Sequence, residues 1–292
     1  MIRRKIQDHM NCISCQGSSF VLYSETSDMQ LPVYKCTDCS LLFTGSSEIE
    51  IKKKTREIYS GNYWEEREAI QSLESNFRDK VSVYKWKHWK SQVEYCKPYL
   101  QDKKDLLEIG SGAGQSLFYF EKMGFNVMGI EPDSRNVEIL NQKLKQGHCI
   151  NGFIEETEIA GSYDVIWISH VFEHLIRPNI LLKRCREILR DNGIIFIEIP
   201  ECENPKILKQ SIYENPSTFH FTKKTLSNVV QNVGYKIIKC DSFRVPTLVE
   251  AGMMKIMKRF FNFIKYNPYP YYPRIITKIN DGQLIRMILV KF

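Results

Sequence analysis

From Lys104 onward the chain alternates short runs of β-branched and other apolar residues with longer stretches whose apolar positions recur every three or four residues. Such alternation marks strands that feed amphipathic helices. The pattern predicts strands at Asp105 to Ile109, Asn126 to Ile130, Tyr163 to Ile168, Ile194 to Ile199 and Tyr235 to Phe243, with a terminal strand at Leu284 to Phe292. Helices are predicted from Gln115 to Met123, closed by Gly124, and from Ser134 to Lys145, ended near Gly147. Pro178 suits the first turn of a helix running to Arg190, and Thr222 caps another that ends at Gly234. An α/β chain of this kind builds a doubly wound sheet with ligand sites at the carboxyl ends of its strands. The segment from Glu48 to Tyr99 is different, being charged and aromatic. Tyr59-Ser60-Gly61-Asn62-Tyr63-Trp64 precedes a helical stretch carrying Phe77, Val81, Tyr84, Trp86 and Trp89. It reads as a linker with a packing helix, and the aromatic cluster is placed to fold over the mouth of the following domain.

Composition adds boundaries to this picture. The 292 residues suit one medium domain with a small appendage, or two domains, and 43% hydrophobic residues are enough to build a core. Apolar runs such as Ile194 to Ile197 are far shorter than the ~20 residues of a membrane-spanning helix. Met1-Ile2-Arg3-Arg4-Lys5 is followed by polar residues, not by the apolar block of a signal peptide, so a cytoplasmic location is expected. Reduced thiols are the rule there, and the nine cysteines need another reason than disulfides. Cys12-Ile13-Ser14-Cys15 and Cys36-Thr37-Asp38-Cys39 have the spacing of a structural zinc ribbon, with two thiolates on each tight turn completing a tetrahedron. Zinc would also hold a segment too small to fold by burial alone. Cys96, Cys149, Cys185, Cys202 and Cys240 lack such spacing and read as small buried hydrophobes.

The first predicted strand runs into Glu108-Ile109-Gly110-Ser111-Gly112-Ala113-Gly114, and a helix follows at once. Glycines there let the backbone turn sharply and approach a ligand closely. A dinucleotide loop reads G-x-G-x-x-G, whereas the third glycine here comes one residue early. Glu108 beside the loop would repel a pyrophosphate but suits a ligand carrying an ammonium and a sulfonium. Glu131, at the end of the second strand, can accept both ribose hydroxyls of either ligand. The combination favours S-adenosylmethionine.

Glu108 to Gly114, Gly129-Ile130-Glu131-Pro132-Asp133, Tyr163 to Ile166 with His170-Val171-Phe172-Glu173-His174-Leu175, and Asn192-Gly193-Ile194-Ile195 resemble, in order, the motifs of class I S-adenosylmethionine-dependent methyltransferases. The resemblance implies a Rossmann-like, doubly wound, seven-stranded sheet with the small zinc ribbon attached at its amino-terminal side. It divides the chain into a ribbon over 1–46, an aromatic linker or lid over 47–76, and a catalytic domain over 77–292 with an insertion at 247–282. The four-cysteine module also resembles that of bacterial sugar C-methyltransferases, although those usually carry a further carboxyl-terminal domain not seen in this sequence. By the same resemblance the methionine moiety lies against Glu108, Gly110, Ser111, Gly112 and Gly114, with Ser169 nearby. The ribose lies on Glu131 beside Pro132, and the adenine in Gly152-Phe153-Ile154-Glu155. Many relatives have Asp at the adenine position, so Phe153 and Ile154 would leave recognition to backbone groups and packing. Tyr59 and Tyr63 match the position of an aromatic lid.

Methyl transfer from a sulfonium is an in-line displacement that needs alignment, exclusion of water and, for a hydroxyl or carbon acid, a base. His170, Glu173 and His174 are spaced to share one side of a helical turn, and His170, nearest the strand end, is the best-placed base. Glu173 and His174 fit equally a structural hydrogen-bonded pair under the helix; a metal site with His170, Glu173 and His174 as ligands, resembling that of some quinone-pathway O-methyltransferases, has less behind it. His220 in Thr218-Phe219-His220-Phe221-Thr222 is a second base candidate by the family's layout. The insertion contains Met253-Met254-Lys255-Ile256-Met257-Lys258-Arg259-Phe260-Phe261-Asn262-Phe263-Ile264-Lys265, a basic amphipathic stretch. It reads as a substrate-cap or dimer helix, or as an interfacial helix giving peripheral membrane contact over 251–266. The expected acceptor is a small molecule or sugar-type compound, methylated at oxygen or carbon. A nucleic-acid-binding role for the ribbon and the net charge of +7 is the rival reading. Against it, basic residues are spread over the chain, and no Asn/Asp-Pro-Pro-Tyr/Phe segment follows the fourth strand.

Overall fold

The computed structural model describes residues 11–60, 83–261 and 270–292. Its amino-terminal part is an antiparallel meander of β1 (Phe20–Ser24), β2 (Val33–Cys36) and β3 (Leu42–Thr44), followed by α1 (Glu48–Ser60) and α2 (Val83–Cys96). Strands and helices then alternate: β4 (Asp105–Ile109), α3 (Gln115–Lys122), β5 (Asn126–Glu131), α4 (Ser134–Lys143), β6 (His148–Asn151), β7 (Tyr163–Ser169), α5 (Pro178–Ile188) and β8 (Leu189–Pro200). After them come α6 (Pro205–Tyr213), β9 (Phe219–His220), α7 (Lys223–Asn232), β10 (Tyr235–Arg244), α8 (Leu248–Phe261), β11 (Ile275–Thr277) and β12 (Leu284–Lys291).

The main sheet runs β11-β10-β12-β8-β7-β4-β5-β6. The five strands from β6 to β8 are parallel, and β12 inserts antiparallel between β8 and β10. This is the doubly wound α/β sheet expected from the sequence, with β11 from the 247–282 insertion adding an eighth strand at the edge. Helices cover both faces, which is why Ile194 to Ile199 is buried residue after residue instead of alternating. The strand also starts earlier than predicted: α5 ends at Ile188 and the chain extends directly, placing Gly193 inside β8 where its pairing with β7 slips register. Local signals fix the helix starts. Asp133 accepts a hydrogen bond from the Arg135 amide to cap α4, and Thr222 and Thr225 form a reciprocal capping box on α7.

The amino-terminal meander is not a free appendage. Its sheet continues into the main body as β1-β2-β3-β9, with Leu42 opposite His220 and Phe43 opposite Phe219. Phe43, Phe219, Phe221 and Phe172 stack in sequence at centroid separations of 6.5, 5.6 and 5.6 Å, so one apolar core is shared by ribbon and sheet.

In the insertion, Tyr271 packs edge-on against Tyr95 and Phe243, whereas α8 leaves Leu248, Val249, Met253 and Ile256 exposed. Among the described residues no helix is long and apolar enough to cross a membrane. Tyr63, Trp64, Phe77, Val81 and Lys265 lie outside the described residues, as do the side chains of Tyr84, Trp86, Lys255, Lys258 and Arg259.

Candidate functional site

Strand order reverses on either side of β4, and a crevice opens there at the carboxyl ends of the strands. It holds a cavity of about 360 Å³ bounded by the β4–α3 loop, the ends of β5, β6 and β7, and helices α1 and α2. One half is built locally. Gly110, Gly112 and Gly114 all have positive φ, at 71°, 53° and 70°. A Cβ on Gly110 would stand 2.2 Å from Val171 Cγ2, so the loop is tight as well as left-handed. The turn aims the Gly112 amide at Glu131, whose Oε2 accepts it at 2.8 Å, while Oε1 accepts the Asp133 amide at 3.1 Å. Glu108 lies at the floor, 3% exposed, with Oε1 hydrogen-bonded by Ser116 and Oε2 without a partner among the described residues. Burial pushes the Glu108 carboxyl up to about 8 and that of Glu131 up to about 7.

Ser111, Pro132, Phe153, Ile154, Ser169 and Tyr59 also line this cavity. Arg184 Nη1 donates to the Ile154 carbonyl at 2.7 Å and holds the β6–β7 loop in place. Across it, α1 is tied to the same loop by Arg56, which pairs with Glu156 and lies 5.9 Å over the Phe153 ring. Gly114 is the departure among the expected loop residues. It faces away from the cavity toward α4, where a Cβ would stand 2.0 Å from Leu140 Cδ2, so its role is to let two helices pack.

The other half is assembled from distant segments. His170 sits at the end of β7 with φ 56°, its amide bonded to the Glu198 carbonyl at 2.8 Å. Its Nε2 is 3.3 Å from Glu198 Oε1 and its Nδ1 3.6 Å from Glu173 Oε1. The ring is 44% exposed, and that exposure faces the cavity it lines. Burial depresses its basicity, but the two carboxylates outweigh burial and push it up to about 10. Glu173 is buried, and its Oε1 also stands 3.7 Å from His174 Nε2. His174 Nδ1 donates to the Pro216 carbonyl at 2.9 Å, and its ring meets Tyr59 edge-on at 6.0 Å.

Four residues that hold this half were not anticipated: His88, Gln92, Glu198 and Arg286. Gln92 Nε2 donates to Glu198 Oε1 at 2.6 Å and to Ser169 Oγ at 3.0 Å, and His88 Nε2 meets the same Glu198 oxygen at 3.0 Å. Arg286, fully buried, donates from Nε to Glu198 Oε2 at 2.5 Å and from Nη1 and Nη2 to the Ser91 carbonyl and hydroxyl. Burial opposes the charge on Glu198, yet Arg286, His88 and His170 hold its carboxyl well below the usual range. A signal for this pair did exist, since Glu198 and Arg286 each interrupt an apolar run within its strand, and they face each other in the β8–β12 register.

The expectation for His220 is corrected. It is 1% exposed on β9, outside the cavity lining, with Nδ1 bonded to Ser211 Oγ at 2.8 Å. Burial lowers it to about 3, so it is a neutral core residue whose direction is set by the pairing of β9 with the ribbon. Tyr63 lies outside the described residues.

The four ribbon cysteines converge. Cys12 and Cys39 sulfurs are 3.5 Å apart, as are those of Cys15 and Cys36. Tetrahedral Zn–S bonds of about 2.3 Å place sulfurs about 3.8 Å apart, so the donor set and its spacing fit zinc. No fourth position is left over for water or substrate, which suits a structural ion.

A family model described as "Methyltransferase domain" matches residues 82–239, over half of the chain. The ubiquinone biosynthesis O-methyltransferase of Bradyrhizobium diazoefficiens is 26% identical over 96 residues, covering 32% of this chain, and the chain spans only 38% of that relative's length. Among solved structures, a SAM-dependent methyltransferase from Archaeoglobus fulgidus superposes with a TM-score of 0.53 at 17% identity, covering 76% of this chain and 99% of the other. The plantazolicin methyltransferase BpumL in complex with SAH gives 0.52 at 16%, covering 84% and 99%. The sheet order, the glycine turn and the matched span together make this chain a member of the methyltransferase-domain family.

Proposed function

We propose that the protein transfers a methyl group from S-adenosylmethionine to a small-molecule or sugar-type acceptor, at oxygen or carbon. The observation that carries this reading is Glu108 Oε2, a buried carboxyl oxygen with no hydrogen-bond partner among the described residues, at the floor of a glycine-loop cavity. Once ionised, such a group repels a phosphate and is stabilised by a cation, and the ammonium of a methionine moiety supplies one. When bound, S-adenosylmethionine provides the methyl group on a sulfonium. The chain's own residues do the rest. The loop amides and Glu108 hold the amino-acid end, Glu131 accepts from the ribose hydroxyls, and Phe153 and Ile154 flank the adenine. Tyr59 on α1 keeps water out.

At the acceptor end His170 is the cation at neutral pH, because Glu198 and Glu173 keep its proton. It therefore orients the acceptor by donating a hydrogen bond, and favours an acceptor atom that arrives ionised. It becomes a base for a neutral hydroxyl only as the pH rises toward 10. Glu173 and His174 form the wall beside it. The proposed organisation is a zinc ribbon over 1–46 with Cys12, Cys15, Cys36 and Cys39 as ligands, a lid segment over 47–76, and a catalytic domain over 77–292. Competitive calorimetry tests the reading: the full chain should bind S-adenosylmethionine and its demethylated product and ignore NAD. Binding of NAD with neither sulfonium compound nor product bound would overturn it.

A further inference from the structure

The cysteine ribbon and the cavity are joined by a series of short polar contacts that packing alone does not require. The second cysteine knuckle leads into β3: the Cys36 amide donates to the Leu41 carbonyl at 2.9 Å, and β3 begins at the next residue. At the end of β3, Thr44 grips the segment 216–220 twice, through its amide to the Thr218 carbonyl at 2.8 Å and through Oγ1 to the Ser217 carbonyl at 3.0 Å. Thr218 in turn grips the cavity wall twice. Its amide donates to the Glu173 carbonyl at 2.9 Å and its Oγ1 to the His174 carbonyl at 3.1 Å. The Pro216 carbonyl, in the same segment, accepts a hydrogen bond from His174 Nδ1 and so fixes which ring nitrogen faces Glu173. Thr44, Ser217, Thr218 and Glu173 are each 2% exposed, so water cannot replace these bonds when they are lost. The first knuckle is anchored separately, by Asn228 and Asn232 of α7 to the Ser14 hydroxyl and carbonyl.

We infer that Thr218 is a positioning residue through which the metal-loaded ribbon sets the Glu173–His174 wall, so that occupancy of the four thiolates is transmitted to the acceptor end of the cavity while the glycine loop is unaffected. A ribbon that served only to stabilise the chain could have been joined by apolar packing such as the Phe43–Phe219 contact. The doubled hydroxyl and amide bonds instead fix the orientation of two backbone carbonyls and one imidazole. The inference rests on the methyl-transfer reading only for what that wall does, not for the coupling itself.

The test uses the zinc-loaded full chain, with imidazole ¹⁵N NMR of His174 and amide hydrogen exchange by segment. In Thr218→Val, which keeps the shape and the amide bond, exchange over 172–175 should accelerate about tenfold and the His174 signals should move, with 110–114 unchanged. Thr218→Ser should restore both. Removing zinc with a chelator should give the same pattern, extended to 36–44 and 216–220. The inference is overturned if chelation loosens 36–44 alone, if exchange in the zinc-loaded Val variant rises equally everywhere, or if the His174 signals in that variant match wild type. If the zinc-free chain does not hold its fold, the loaded Val and Ser variants decide the matter. Calorimetry with S-adenosylhomocysteine on the same samples keeps the two readings apart, since wild type failing to bind it would sink methyl transfer and leave the His174 result standing.

Discussion

The two halves of the cavity are built in opposite ways. The Glu108–Glu131 half comes from one strand–loop–helix unit and the strand next to it, within 24 residues of chain. The His170 half draws on α2, β7, β8 and β12, and its central bond joins Glu198 to Arg286, 88 residues apart. The first half is a set of backbone amides and two buried carboxyls, Glu108 and Glu131, that burial raises and no cationic side chain compensates among the described residues. The second is a charge network centred on Glu198, whose carboxylate is compensated by Arg286, His88 and His170, although Glu173 Oε2, Gln92 Oε1 and His88 Nδ1 have no hydrogen-bond partner among the described residues. A buried carboxyl without a compensating charge has affinity waiting for a cationic ligand, whereas one already paired with a buried arginine has its geometry fixed before anything binds. The difference suits a cofactor pocket beside a pocket that must align an acceptor.

The comparison predicts where damage should appear. Arg286→Met should have the largest effect on stability, a loss of about 3–5 kcal/mol in denaturant unfolding, because it leaves Glu198 buried and charged without its partner. An unchanged midpoint would show that the network does not hold the acceptor half. Gly112→Asp should keep the fold and abolish cofactor binding, by about 100-fold or more in calorimetry, since a side chain and a like charge enter beside Glu131. Retained affinity would place the ligand elsewhere. His170→Ala should leave cofactor affinity within about threefold but lower turnover about 100-fold once an acceptor is found, and normal turnover would remove His170 from the chemistry. Glu108→Gln should have the smallest structural effect, and of opposite sign to Arg286→Met. The Glu108 carboxyl is raised above its unfolded value, so its ionisation costs stability progressively as pH climbs from 4.5 through about 8. Removing that ionisation should raise the thermal midpoint at pH 8 by a few degrees, about 3–5 °C, while weakening cofactor binding. A lowered midpoint would mean that Glu108 is already paired.

The same contrast explains what could be seen in the sequence. The strand–helix alternation and the glycine loop follow from local rules of period, capping and φ, and Glu108 and Glu131 come with them, whereas Phe153 and Ile154 follow only from the family resemblance, because β6 before them carries no clear local signal. The resemblance places Gly114 with the ligand residues of the loop, while its actual neighbour, Leu140, lies on the next helix. His88 and Gln92 point into the site from a helix that precedes the sheet, and no motif marks them. Glu198 and Arg286 were visible as charges inside apolar runs, but only the register of β8 with β12 shows that they meet. His220 was misplaced because β9 is two residues long and takes its direction from the ribbon, a pairing that no local periodicity encodes.

The central claim is that Glu108 receives the ammonium of S-adenosylmethionine. Its most direct test is calorimetry of wild type with S-adenosylhomocysteine at pH 7 in two buffers of different ionisation enthalpy. With the carboxyl raised to about 8 in the free protein and ionised in the complex, binding should release about one proton, and Glu108→Gln should abolish most of that release. Binding without proton release, or no binding at all, would contradict the account.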